Sequence, residues 1–323
     1  MSVTWEDGQG AVDKNTSMQQ FGELFVEGLH KYVGRLNIPS RLFGDNARAR
    51  PICAKVENRA GIQSVMREVL FDAITQESHK YAELTFRAFL RKRTVDRNVL
   101  NFFNGWNETH KTTSLVSAKV IMRLSADAIF IYPEKNITYS LAMAHMHEVA
   151  RDDMGLGHPG HDGMYGVMTA AFNGNGWSEE QHAIAECNEF SSYLYRVGVE
   201  NHKACIHSDE YKRSMLKAMM VSISSELWNG REYNFMAQYI ERKLLSMNPL
   251  LADRSKDLRE AKSYVIGHAG QVENRHGLHA LAAAQAYATS WELKFDTAAL
   301  GEVMLDYNKR VGIAFRALYE VVG

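Results

Sequence analysis

Residues 212–245 read KRSMLKAMMVSISSELWNGREYNFMAQYIERKLL, a stretch without proline and rich in Leu, Met, Glu and Lys. Side chains of these types lose little freedom in a helix. The stretch predicts one long helix with a bend at Gly230, and it sets the expectation of an all-α fold. Downstream, Lys256 to Thr289 predicts a second long helix. Thr297 to Val321 predicts a third, with Val303, Tyr307, Val311, Phe315 and Leu318 at helical spacing as a core-facing stripe.

Upstream, Ile62 to about Arg91 reads as helix through Val65, Met66, Val69, Leu70 and Ala73, and NFFNGWNETH (Asn101 to His110) reads as a loop. A helix is expected over Thr113 to Ile131, stopping before Pro133. The next starts near Thr138, carries Leu141, Ala144, His145, Glu148 and Val149 on one side, and ends at Gly155 and Gly157. Two more follow, over Met164 to Phe172 and over Glu179 to Arg196, the latter opened by a capping box of Ser178 and Gln181. Residues 1–60 are broken by Gly8, Gly10, Gly34, Gly44, Pro39 and Pro51. They predict an N-terminal extension with a helix around Met18 to Val33, ahead of one helical domain over residues 61–323.

The 323 residues are 46% apolar and 23% charged, which suits a substantial core that needs no cross-links. Lys+Arg at 37 against Asp+Glu at 38 leaves no net field to draw the chain onto nucleic acid or an anionic membrane. Cys53, Cys187 and Cys205 are odd in number and share no C-x-x-C spacing, so neither a disulfide framework nor a thiolate zinc site is expected. Met1 to Lys14 has no basic-then-apolar leader pattern, and no uncharged apolar run reaches about 18 residues. The expectation is a cytoplasmic protein. G-x-S-x-G, the P-loop and a G-x-G-x-x-G after a strand are absent, which speaks against nucleophilic catalysis of those kinds.

Three places concentrate acids and histidines. In RDDMGLGHPGH (Arg151 to His161) two acids close a helix and two histidines follow. Acids at a helix C-terminus oppose the macrodipole, so Asp152 and Asp153 are unfavourable there unless a cation wants them. A carboxylate with a neutral imidazole suits iron, manganese or zinc, and a solvated acidic helix end is the bland alternative. In HAGQVENRHGLH (His268 to His279), read as lying inside a helix, Glu273 and His276 form an E-x-x-H pair on one face, with His268 upstream. Such pairs on facing helices build carboxylate-bridged di-metal sites, although a hydrophilic strip produces the same letters. In VSISSELWNGREY (Val221 to Tyr233) Glu226 stands among Met219, Met220, Ile223, Leu227 and Trp228. Burial there is costly unless the carboxylate binds a metal or is paired with Lys217 or Arg231; Glu232 is the alternative ligand. Asp127, near the end of its helix, is a further carboxylate candidate. His145, Glu148, Asp152 and His158 are candidates to orient the ligands. A second E-x-x-H, Glu179 to His182, is explained by the helix start alone.

In order, Asp153, Gly155, Gly157, His161 and Tyr165, then Glu226, then His268, Glu273 and His276 resemble the motifs of the haem-oxygenase-like di-iron oxidases. The likeness covers roughly Leu115 to Ala284. Asp153 stands where that family has Glu, Asp127 is the best stand-in for an earlier Glu, and the extra residue between His268 and Glu273 calls for a π-bulge. The resemblance implies a haem-oxygenase-like helical bundle that binds two Fe(II) through Asp127, Asp153, His161, Glu226, His268, Glu273 and His276 and reacts with O2. A small amino-acid-like substrate would be oxidised, foremost by N-oxygenation of an amine; C–C cleavage or desaturation of an amino or fatty acid are the variants. An external electron donor and a homodimer belong to the same picture, with Trp106, Phe130, Tyr132, Trp228 and the methionines as pocket lining. A thiaminase-like hydrolase with zinc or no metal, a ferritin-like bundle using Glu179 and His182, and a helical binding protein without activity are the competing expectations.

Overall fold

The computed structural model describes residues 15–38, 52–53, 55–151, 153–155 and 160–323. In chain order its helices are α1 (Met18–Arg35), α2 (Arg59–Phe71), α3 (Ala73–Arg91), α4 (Arg97–Thr109), α5 (Ala118–Asp127), α6 (Pro133–Ala150), α7 (His161–Ala171), α8 (Ala185–Val199), α9 (Asp209–Ala237), α10 (Ile240–Met247), α11 (Ser255–His268), α12 (Val272–Ser290) and α13 (Thr297–Val322). One π-helical turn, Thr113–Ser117, precedes α5. The described strands, β1 (Asn37–Ile38) and β2 (Ile52–Cys53), form a single antiparallel pair, so the fold is all-α. No described helix is long and apolar enough to cross a membrane.

Helix α9 is the axle. Every residue from Ala218 to Met236 is buried, which requires neighbours on all sides of the helix. Helices α1, α11, α12 and α13 supply them, while α12 also packs on α6 and α13 on α3. Burying Trp228, Phe235 and Met236 contributes about 1.5–3 kcal/mol each. The α13 stripe of Tyr307, Val311, Phe315 and Leu318 faces this core as its spacing predicts, with Val303 partly buried at its edge. From the expected N-terminal extension, α1 places Met18, Phe25, Val26, Leu29 and Val33 in the same core and packs on α2 and α9.

Several expected boundaries differ from the structure, each for a local reason. The predicted Ile62 to Arg91 helix is two helices, because Asp72 turns extended and its carboxylate caps α3 at the Ile74 N–H. The predicted loop at Asn101 to His110 lies largely within α4. Asp96 caps its start, and Phe102, Phe103 and Trp106 bury completely. Helix α6 starts at Pro133, earlier than expected, because a first-turn proline lacks only an N–H that would be unbonded anyway. The Ser178 capping box is not realised: a 3-10 turn (Glu180–His182) precedes α8, whose N-cap is Ile184. The predicted Lys212 to Leu245 helix is two helices, since α9 runs unbroken through Gly230 and ends at Ala237 before α10. Gly230 instead allows a close helix crossing, since a Cβ there would stand 2.7 Å from Asn274 Oδ1 on α12.

Candidate metal centre

The α9–α12 crossing is the first determinant of the centre. Gly230 faces Asn274 and Glu273, and Gly277 faces Leu227 and Glu226. With no side chains at these two points the helices approach closely, and Glu226 on α9 meets Glu273 and His276 on α12. A break in the chain is the second determinant. The stretch expected to run helical through His268 is interrupted over 269–271, where Gly270 takes φ +75°, a conformation that other residues rarely adopt. The Asn234 side chain clamps that turn, accepting from Gly270 N–H at 2.9 Å and donating to its carbonyl at 3.0 Å. His268 therefore ends α11 and Glu273 sits in the first turn of α12, favourable termini for an imidazole and a carboxylate. Between His268 and Glu273 the chain therefore has a helix break and no π-bulge.

Two groups of three side chains result. The ligand atoms of Asp153, His268 and Glu273 lie within 4.8 Å of one another, and so do those of Glu226, Glu273 and His276. Glu273 belongs to both. His268 Nε2 is 3.5 Å from Asp153 Oδ1, and His276 Nδ1 is 3.7 Å from both Glu226 Oε2 and Glu273 Oε2. These gaps are too long for hydrogen bonds. They approximate an edge of a coordination polyhedron, because two donors each about 2.1 Å from one ion stand roughly 3.0–3.6 Å apart.

Burial makes the arrangement expensive without a cation. Glu226 is 1% and Glu273 2% exposed. Among the described residues neither oxygen of Glu226 has a hydrogen-bond donor, nor has Asp153 Oδ1 or Glu273 Oε1. Burial, reinforced by the Glu273 charge, pushes the Glu226 carboxyl well above its usual range. Burial pushes Glu273 up too, but His276, Glu226 and His268 more than offset it and bring it below its usual value. Asp153 is likewise lowered, its burial overcome by His268, His161 and His276. For His268 burial favours the neutral ring, yet Asp153 and Glu273 raise it. A proton on Glu226 thus stands in for one positive charge, and the carboxylates of Asp153 and Glu273 remain to be balanced among the imidazoles.

The surroundings fix the donor atoms. His268 Nδ1 donates to the Tyr264 carbonyl, which leaves Nε2 facing Asp153. Thr113, in the π-helical turn, donates its hydroxyl to Asp153 Oδ2, so Oδ1 is the oxygen left toward His268. Thr113 carried no sequence signal.

Among the remaining expected ligands, His161 opens α7 and its ring stands 5.0 Å from that of His268, but its Nε2 is engaged by the Tyr233 hydroxyl at 2.8 Å. It borders the two groups without joining either. Burial pushes His161 down to about 3. Asp127 is elsewhere: it accepts from the Tyr211 hydroxyl beside Arg123, which stacks on Tyr211, and that polar network replaces a metal as its partner. Of the expected orienting residues, His145 pairs with His279 (Nδ1 to Nδ1 2.9 Å), and Glu148 pairs with Arg151 at 3.6 Å. Asp152 and His158 lie outside the described residues. Glu179 is exposed and His182 is bound to Asn101, so this E-x-x-H builds no site. Phe130 (57% exposed) and Tyr132 (60%) are on the surface and line no pocket at the centre, whereas Trp106 and Trp228 are fully buried.

Comparison of the chain with protein-family models, curated proteins and solved structures finds no match. The side-chain geometry therefore carries the functional argument.

Proposed function

We propose that this chain is an O2-dependent non-haem di-iron oxidase of the haem-oxygenase-like kind, which N-oxygenates the amine of a small amino-acid-like molecule. The observation that carries the reading is Glu273, a buried carboxylate common to two three-residue ligand groups, as a bridge between two ions requires. Carboxylate and imidazole donors without thiolate suit iron. Bound iron would supply the electrons that reduce O2. Asp153 and His268 would hold one ion, Glu226 and His276 the other, and His161 stands beside them.

The chain's residues supply the rest. The α9–α12 crossing excludes water from the carboxylates, and Thr113 and the Tyr264 carbonyl hold Asp153 and His268 in orientation. A cavity of about 420 Å3 is lined by Arg35, Arg151, Arg275, Glu148 and His279. Guanidinium groups and a carboxylate in one cavity match the two charges of an amino acid, and His279 lies one turn beyond His276 on α12. In the reaction one oxygen atom joins the amine nitrogen. The other leaves as water, with two electrons and two protons drawn from an external reductant and solvent.

Anaerobic loading with Fe(II), metal analysis and exposure to O2 with a panel of amino acids tests the reading. About two irons per chain, an O2-dependent absorbance band, and one amine that speeds its decay and yields a hydroxylamine are expected. Tight zinc in place of iron, or iron that does not react with O2, overturns it.

A further inference from the structure

The reading above needs electrons from outside, and a second buried network leads from the centre to the surface. It begins at His161. With the Tyr233 hydroxyl donating to Tyr264 (2.8 Å), His161 Nε2–H donates to Tyr233 (2.8 Å). Tyr264 in turn donates to His110 Nδ1 at 3.0 Å, and His110 Nε2 lies 2.8 Å from Glu232 Oε1. Glu232 is completely buried, and both indoles of the core donate to it, Trp106 at 2.5 Å and Trp228 at 2.7 Å.

The rings are in contact from His161 to Trp106, and Trp106 and Trp228 meet across the Glu232 carboxylate. Tyr264 is centred 4.7 Å from His161 and 5.9 Å from Trp106, and Tyr233 stacks on His268 at 5.0 Å. At the far end Trp228 is centred 5.3 Å from His79. His79 lines an open cavity of about 390 Å3 with Gln19, Gln76, Lys80, Glu83 and Arg87. The path between the metal centre and solvent thus runs through oxidisable rings, each next to a proton acceptor.

We infer that Trp228, Trp106, Tyr264 and Tyr233 form an electron relay, through which a one-electron reductant at the His79 cavity feeds the metal centre; the inference rests on the di-iron reading. Each step balances. Tyr264 loses one electron toward the centre and its phenolic proton passes to His110 Nδ1. Trp106 then refills the hole, releasing its Nε1 proton to Glu232 while His110 returns the phenolic proton to Tyr264; Trp228 refills Trp106, which recovers its proton from Glu232 as Trp228 releases its own Nε1 proton there. The external donor returns one electron to Trp228, the proton goes back from Glu232, and the donor alone is oxidised. Arg231, 5.4 Å above the Trp228 ring, disfavours an indole cation, so the proton must leave with the electron. Glu232 is placed to take it.

The test uses two samples. Fe(II)-loaded protein is mixed with limiting O2 without substrate, freeze-quenched and examined by EPR, with iron content and absorbance read on the same sample. Metal-free protein is flash-oxidised by a ruthenium polypyridyl with a sacrificial acceptor and followed by transient absorbance. The relay predicts a tyrosyl or tryptophanyl radical in the loaded protein, quenched by ascorbate. It is lost in Tyr264→Phe, while the iron content is unchanged. In the metal-free protein it predicts a neutral tryptophan radical that Trp228→Phe removes and Glu232→Gln converts to the protonated cation. If iron binds and reacts but no radical forms, or if Trp228→Phe and Tyr264→Phe change neither signal, the network is structural and the relay is wrong. If iron does not bind, the di-iron reading fails by itself, and the flash experiment still decides whether the relay conducts.

Discussion

Glu226 and Glu232 lie on the same helix, and both are buried to within 1% of complete enclosure, yet their surroundings are opposite. Glu232 receives the Trp106 and Trp228 indoles and faces His110. Among the described residues Glu226 receives no donor on either oxygen; His276 Nδ1 stands 3.7 Å from it, and its neighbour Glu273 repels it. A buried carboxylate must be satisfied by hydrogen bonds, a proton or a cation. Glu232 has the first. Glu226, beside a Glu273 whose carboxyl is held low, is left with the second or the third, and the proposed metal supplies the third.

The largest effect is expected at the shared residue. Glu273→Ala removes a ligand from both groups, and iron content falls from about two per chain to none, read by metal analysis after desalting. The two glutamates of α9 then answer in opposite ways. Glu232→Gln leaves iron content unchanged but upsets a paired buried group, costing about 2–4 kcal/mol in denaturant unfolding. Glu226→Gln lowers iron content while the metal-free protein is as stable as before or more so. Equal behaviour of the two variants would break the contrast.

The pH dependence sharpens it. The Glu226 carboxyl is raised in the fold, so between its unfolded and folded values the native state holds a proton that the unfolded chain has lost. That stability is complete below the unfolded value and is lost as pH rises through the folded one. His161, lowered to about 3, changes nothing above about pH 6.5, where the unfolded histidine is also neutral. The melting temperature of chelator-treated protein should therefore fall as pH rises through the folded Glu226 value, with the raised His268 adding to the fall above about pH 6.5, and the Glu226 part of the slope should be absent in Glu226→Gln. The smallest effect is expected from Thr113→Val, which leaves Asp153 in place but unoriented: iron affinity drops roughly tenfold in a competition titration.

Sequence spacing was informative where chemistry and helix periodicity coincide. Glu273 and His276 are three apart on one helix, and Glu226 stood out as an acid in an apolar stretch; the structure brings both to one place, with His268 and Asp153. Between Glu226 and Glu232 the letters gave no decision, because the Trp106 indole that donates to Glu232 and the His110 ring it faces are more than a hundred residues away. Asp127 was indistinguishable from a ligand for the same reason, its partner Tyr211 being distant in sequence. The helix breaks at Asp72 and Gly270 were hidden by helix-forming neighbours, and NFFNGWN, with its asparagines and glycine, looked like a turn until the burial of Phe102, Phe103 and Trp106 overrode local preference.

Anomalous scattering at the iron edge from crystals of the Fe(II)-loaded protein tests the central claim most directly. Two peaks about 3.5–4 Å apart on either side of Glu273 are predicted, one against Asp153 and His268, the other against Glu226 and His276. A single peak, no peak, or iron bound at the His145–His279 pair instead would contradict it.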